Sequence, residues 1–231
     1  MESKIDPSEH AVISDLLKDF AHDPSVTVNF VYRESWQRFN AIENEYNQIA
    51  KISELTKLDE REERIRIFKA LPLSLHRYMY DGLFTFAGKF RSEDDPDGGK
   101  VHFGPQKAHQ YEPEFKGDSP NEIESGIMEA VSHLFDASVT DPVEAGTLFY
   151  QKFINVHPFY DGNGRIARLL SNIFLFEFGW NINWSEFDNK SKFIRLLNWC
   201  HKSSSPKAYN NLVDHIKKFT RKIDELDSVN S

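Results

Sequence analysis

The chain has 231 residues and a net charge of −8. That length suits one large domain or a domain with an extension, and the acid excess excludes a surface that grips nucleic acid non-specifically. A single cysteine, Cys200, excludes an internal disulfide. The most apolar run, residues 173–178, is too short to span a bilayer, and residues 1–7 lack an apolar signal region. The expectation is a soluble, cytoplasmic protein with no membrane or nucleic-acid partner. Secretion by a signal that hydrophobicity does not reveal stays open.

Residues 8–20 carry Val12, Ile13, Leu16, Leu17 and Phe20 at helical spacing, and Asp23-Pro24 ends that helix. Residues 26–32 are rich in β-branched and aromatic side chains and are expected to be extended. Residues 34–55 read as a mostly polar helix. Asp59-Glu60-Arg61-Glu62 has the form of a capping box and opens a helix with Ile65, Phe68 and Leu71 on one face. A further helix is expected over residues 73–86. Residues 94–99 form a turn, and the flanking segments 89–91 and 100–103 could pair as a short hairpin.

In the second half, Ser119-Pro120-Asn121-Glu122 places a capping residue, a proline and a glutamate in order before Ile123, Ile127, Val131 and Leu134. Asp141-Pro142-Val143-Glu144 repeats the device ahead of Ala145, Leu148, Phe149 and Phe153. Helices are also expected over residues 164–178, 185–201 and 206–227, the last with Tyr209, Leu212, Val213, Ile216 and Phe219 inward. Roughly eight helices and one hairpin make this a mostly α protein.

The densest chemistry lies in residues 155–168, Asn-Val-His-Pro-Phe-Tyr-Asp-Gly-Asn-Gly-Arg-Ile-Ala-Arg. His157 precedes a proline, which biases it toward extended geometry and should stop the preceding helix there. Gly162-Asn163-Gly164 tolerates unusual backbone angles and lets the main chain approach a ligand. A helix starting there aims its free N–H groups at the loop, where its dipole favours an anion. Arg165 and Arg168 sit three apart, hence on one face. Two cations at the positive end of a helix ask for a multiply charged anion. Asp161 could hold Mg²⁺ against phosphate oxygens, and His157 can take a proton near neutral pH. The stretch reads as a polyphosphate cradle with a base beside it.

At these residues the chain resembles the Fic family, whose core motif is H-x-F-x-D/E-G-N-G-R-x-x-R. His157, Phe159, Asp161, Gly162, Asn163, Gly164, Arg165 and Arg168 fill every fixed position. The resemblance runs over residues 73–180 and implies a Fic-type helical bundle with a β-hairpin flap. It also implies transfer of AMP from ATP to a hydroxyl side chain of a protein, self-modification included. His157 would be the general base, and Asp161 the Mg²⁺ ligand. Gly162, Asn163 and Gly164 would cradle phosphates, and Arg165 and Arg168 would neutralise the phosphate tail, Arg168 nearer the γ-phosphate. Phe159 would anchor the loop in the core.

Ala87-Gly88-Lys89-Phe90-Arg91 resembles the element before the family's flap, here Lys100, Val101, His102, Phe103, Gly104 and the residues after them. Such a flap clamps the target segment by strand-type pairing. Phe39-Asn40-Ala41-Ile42-Glu43-Asn44 resembles the family's inhibitory helix, with Phe39 where Ser or Thr is usual. There Glu43 would pair with Arg168 and obstruct productive ATP binding. The implied layout is an N-terminal helical extension over residues 1–71, a core over 72–202 and a C-terminal helix over 203–231. A different nucleotide donor, removal of AMP, a nucleotide-binding regulator, the toxin half of a pair, and homodimerisation all remain open at the level of sequence.

Overall fold

The computed structural model describes residues 5–49, 61–103, 115–136, 140–187, 190–203 and 205–223. The helices among them are α1 (Pro7–Phe20), α2 (Val28–Ile49), α3 (Arg61–Tyr80), α4 (Ile123–Leu134), α5 (Pro142–Val156), α6 (Asn163–Phe176), α7 (Lys190–Lys202) and α8 (Pro206–Lys217). Two antiparallel ribbons complete the described part: β1 (His102–Phe103) with β2 (Phe115–Lys116), and β3 (Trp180–Ile182) with β4 (Thr220–Lys222). The mostly α class with a small hairpin expected from sequence is the class observed. Among the described residues no helix is long and apolar enough to cross a membrane.

α5 is the central element, packed against α4, α6, α7 and α8. Its start is fixed locally. Asp141 accepts from the N–H groups of Val143 and Glu144 at 2.9 and 3.4 Å, and Pro142 occupies the first turn. Phe149, Phe153 and Val156 of α5 are fully buried, against Ile166, Leu170 and Leu175 of α6 and Ile127 and Val131 of α4. α3 and α2 close the other side of α6. At the start of α4 the Ser119 hydroxyl bonds the Glu122 carboxylate, while Pro120–Glu122 forms one tight 3-10 turn before the helix.

Several expectations are corrected. Residues 28–32 are helical, not extended, because Val31, Ser35 and Phe39 fall on one buried stripe at four-residue spacing, and that burial outweighs the strand preference of the side chains. Residues 73–80 continue α3 instead of opening a new helix. Phe68, Pro72, His76 and Tyr80 carry one buried stripe straight through Pro72, across the expected boundary at 71/72. α3 stops at Tyr80, and residues 81–88 turn back, pairing Phe84 with Ala21 at the end of α1.

The hairpin partner of residues 102–103 is Phe115–Lys116, not residues 89–91. The helix expected over 185–201 begins only at Lys190, because Trp184–Glu186 forms a separate 3-10 turn capped by Asn183. The helix expected over 206–227 ends at Lys217, because Thr220–Lys222 pairs with that strand. Residues 50–55, Asp59 and Glu60 of the capping box, Gly104 and residues 224–227 lie outside the described residues.

β3 is locked to α6 by one side chain. Asn172, 8% exposed, donates through Nδ2 to the Ile182 carbonyl and accepts through Oδ1 from the Ile182 N–H, both at 3.1 Å. Asn172→Ala strands a buried donor and a buried acceptor, so it should destabilise the protein by roughly 2–4 kcal/mol in urea unfolding. A loss below about 0.5 kcal/mol would mean that solvent already reaches this edge of β3.

Candidate active site

α5 stops at Val156, and His157 adopts a left-handed backbone conformation, φ 50 and ψ 59. Its N–H donates to the Phe153 carbonyl at 3.1 Å, a left-handed helix cap. The helix ends where expected, but the extended geometry anticipated before Pro158 is corrected by this cap. Arg91 holds the conformation. Its Nε donates to the His157 carbonyl at 2.8 Å, and Nη2 to the carbonyls of Asp118 at 2.8 Å and Val156 at 3.3 Å. Nη1 bonds the Gly99 carbonyl, and the Arg91 main-chain N–H donates to Pro158 at 3.1 Å. One buried guanidinium thus ties the loop, the end of α5 and the root of the β1–β2 ribbon together.

The His157 ring has one available edge nitrogen. Its Nδ1 faces the Ile154 carbonyl at 3.2 Å. A carbonyl can only accept, so Nδ1 carries the hydrogen and Nε2 presents a lone pair. Phe103 of β1 lies flat on the imidazole, with centroids 4.3 Å apart and planes 7° apart. Phe103 itself stacks on Phe115 across the ribbon at 5.7 Å. Gly117, just after β2, sits where a Cβ would come within 3.0 Å of the His157 Cβ, so only glycine allows this approach. Burial, against the Ile154 carbonyl and Asp161 and with the nearby Arg91 charge, lowers the His157 pKa to about 4. The ring is neutral at pH 7. Of the other expected flap residues, Lys100 and His102 are exposed, and Val101 is half-buried, its carbonyl accepting from Gly117 at 3.2 Å.

Asp161 is built into a network that the sequence reading did not contain. Its Oδ2 accepts from the Tyr80 hydroxyl at 2.7 Å and from Arg165 Nη2 at 3.2 Å, and its Oδ1 from the Gly162 N–H at 2.6 Å. Burial opposes its charge, yet Arg165, Tyr80 and the Gly162 amide hold its pKa below the ordinary value. Arg165 is 5% exposed, bonds Ser35 of α2 at 3.2 Å, and lies 4.9 Å from the Trp36 ring centroid. The expectation that both arginines face an anion is therefore corrected. Arg165 is turned inward against a carboxylate, a hydroxyl and an indole.

Among the described residues no three acidic, histidine or cysteine side chains gather to hold a metal. A magnesium ion, however, commonly takes one carboxylate and completes its shell with phosphate oxygens and water. The Asp161 side chain is 23% exposed and both its oxygens keep lone pairs, which fits such a shared ion.

α6 starts at Asn163. The Asn163 side chain is turned back on the loop, accepting from the Phe159 N–H at 3.0 Å and donating to the Phe159 carbonyl at 2.8 Å. So this side chain closes the loop instead of lining a cradle, a second correction. The main-chain amides of Asn163, Gly164 and Arg165 stay at the helix mouth, ahead of the first helical bond from Ile166 to Gly162. Gly162 needs its glycine: φ is +81, and a Cβ would meet Tyr80 Cε2 at 3.0 Å.

Arg168 is half-buried and donates to the Gly164 carbonyl at 3.1 Å, and burial raises the pKa of the neighbouring Tyr150 hydroxyl while the Arg168 charge acts the other way. Glu43, half-buried on α2, has its pKa raised by burial while the Arg168 charge pulls it down. α2 thus brings Glu43 within electrostatic reach of Arg168. Beneath the loop Phe159, fully buried, stacks on His76 at 4.0 Å and 7°. His76 Nδ1 accepts from Gly88 at 3.0 Å, and burial keeps that ring neutral, its pKa lowered to about 3.

Tyr80, His76, Ser35 and Trp36 escaped the sequence reading. The first two carry only the signal of polar groups on the apolar stripe of α3. Arg91 did have a signal, as the last residue of the Ala87–Arg91 element.

Residues 69–175 match the Fic/DOC family. Three proteins named protein adenylyltransferase are similar. The Caenorhabditis briggsae protein is 30% identical over 107 residues, 45% of this chain and 20% of its own length. The Caenorhabditis elegans protein is 38% identical over 71 residues, 30% of this chain and 14% of its own length. The Nematostella vectensis protein is 36% identical over 63 residues, 27% of this chain and 15% of its own length. The chain thus spans a fifth or less of these curated relatives.

A Fic domain containing signalling protein from Bacteroides thetaiotaomicron superposes with a TM-score of 0.55 at 19% identity, covering 98% of this chain and 88% of that one. BepC from Bartonella tribocorum, solved with bound AMPPNP, gives 0.56 at 15% identity, covering 84% of this chain and 88% of that one. These likenesses establish the fold. The match to the Fic/DOC family thus lies in residues 69–175, and the chain shares the fold of these Fic-domain proteins.

Proposed function

We propose that this chain is a protein adenylyltransferase that moves AMP from ATP to a serine, threonine or tyrosine hydroxyl of a protein, its own included. The observation that carries the reading is the neutral His157 ring, its Nε2 lone pair available and its other face fixed by Phe103. The names of the similar proteins support it, as do the AMPPNP bound to BepC and the ADP bound to a Bartonella quintana Fic domain.

In this reading Nε2 takes the proton of the target hydroxyl, whose oxygen bonds the α-phosphorus while the bond to the β-phosphate oxygen breaks and pyrophosphate leaves. Burial costs His157 basicity in the resting protein, but it also guarantees that the ring is unprotonated when substrate arrives. The α6 amides and Arg168 would receive the phosphates, and Asp161 would hold a Mg²⁺ that neutralises phosphate charge. Arg165 would act through Asp161, keeping that carboxylate ionised and aimed. The β1–β2 ribbon would seat the target segment by main-chain pairing. Glu43 would inhibit by occupying Arg168, and burial already makes that carboxylate costly to ionise.

Incubation with labelled ATP and Mg²⁺ should label the protein or a target in a lysate. His157→Ala should abolish the signal, and Glu43→Gly should raise it about tenfold or more, the worth of one freed charge contact. No nucleotide incorporation by Glu43→Gly, from ATP or any other donor, would sink the assignment.

The histidine makes a separate prediction about pH. Its folded pKa is lowered to about 4, below the ordinary 6.5, so the folded state binds fewer protons there than the unfolded chain. Between those values acidification therefore disfavours folding. Nitrogen-15 NMR of the imidazoles should show His157 with Nδ1–H and a bare Nε2 from pH 8 down to about 5. Titration near 6.5 would contradict the buried, neutral base.

A further inference from the structure

The α5–α6 pair has a second end. Pro142 opens α5 and Phe176 closes α6, about 20 Å from the His157 loop at ~1.5 Å of rise per residue. There Leu134, Phe135, Pro142, Ala145, Phe174 and Phe178 wall a chamber of about 300 Å³. That volume is at the lower end for small-molecule sites. Phe178 is 49% exposed, so this wall of the chamber is open to solvent.

Two guanidiniums from the first turn of α3 also line the chamber, those of Arg61 and Arg64. Arg64 lies over the Phe135 ring, 4.9 Å from its centroid, and its Nη2 pairs with Glu177. Its Nε is buried and meets no acceptor among the described residues. An unpaired buried guanidinium donor is costly, and an oxygen ligand would satisfy it. Arg61 Nε donates to the Phe135 carbonyl at 3.0 Å, which holds the second cation at the same wall.

The charge count limits the ligand. Glu177 already answers part of Arg64, and Asp136 stands on the lining. Glu177 and Asp136 already balance the two guanidiniums, so a dianion would be repelled; what the wall lacks is a single acceptor for Arg64 Nε, and a carboxylate oxygen makes the strongest such bond. The aromatic walls call for an apolar body. We infer that this chamber binds a small monocarboxylate with an aromatic or aliphatic tail, its carboxylate on Arg64 and Arg61 and its tail against Phe135, Phe174 and Phe178. The two helices that wall it lead directly to the His157 loop and to the Gly162–Arg168 turn. The inference stands on this chamber alone and does not depend on nucleotide transfer.

The test uses the full chain and three probes, 3-phenylpropanoate, its neutral amide and benzyl phosphate, followed by ligand-observed NMR and thermal unfolding. The acid should bind saturably and raise the melting temperature, and the amide and the phosphate should each bind at least tenfold more weakly. Arg64→Lys keeps the charge and can keep the Glu177 pair but removes Nε, and should cost tenfold or more in affinity. Thr140 is exposed on the lining, so Thr140→Trp should block the chamber without disturbing the core. His157→Ala should bind the acid as the parent does. Equal binding of acid and amide, tighter binding of the phosphate, undiminished binding by Thr140→Trp, or no saturable binding would each overturn the assignment.

Discussion

The site depends first on how Arg91 is satisfied. Its guanidinium is 3% exposed and spends its N–H groups on carbonyl oxygens of Gly99, Asp118, Val156 and His157. A buried cation surrounded by carbonyl dipoles is tolerable only while all of them stay in place. Each of those oxygens belongs to a different piece of the site: the turn before β1, the segment after β2, the last turn of α5, and the histidine itself. Geometry that loop chemistry alone would leave soft is thereby set by one planar fork. The left-handed backbone at His157 survives because the alternatives would abandon these bonds.

A second buried charge does the same on the opposite side of the loop. Arg165 faces Asp161, Tyr80, Ser35 and Trp36, so α2, α3 and α6 converge on one ion pair. The N-terminal helices are therefore part of the site's structure as well as the carriers of Glu43. Removing the Asp161 carboxylate would leave a guanidinium buried without its counter-charge, so a loss of activity there reports folding as much as chemistry.

Features that act locally were legible in the sequence. The Asp141-Pro142 cap, the start of α6 at Asn163 and the stripe of α4 each depend on residues within a turn or two of one another. Glu43 was set against Arg168 by resemblance alone, and α2 carries it half-buried, where burial raises its pKa and the Arg168 charge acts the other way. What could not be read depends on distant partners. Val28–Tyr32 has the composition of a strand, but the stripe of Val31, Ser35 and Phe39 finds a core to face. The helix expected through residue 227 yields after Lys217 because Trp180–Ile182 offers a strand to pair with. Arg165 and Arg168 look equivalent by spacing. They differ because Tyr80, contributed 85 positions upstream of Arg165, draws only one of them inward. Asn163 looks like a ligand-facing amide until Phe159 is seen to use both ends of it.

The contact between Phe103 and His157 has a mechanical meaning. Two rings 4.3 Å apart leave no room for an intervening layer of solvent. The His157 imidazole and the two-stranded ribbon consequently travel as one body, with Gly117 as the point of closest approach. A polypeptide aligned along that ribbon would have its distance from Nε2 set by the ribbon, whatever side chains it carried.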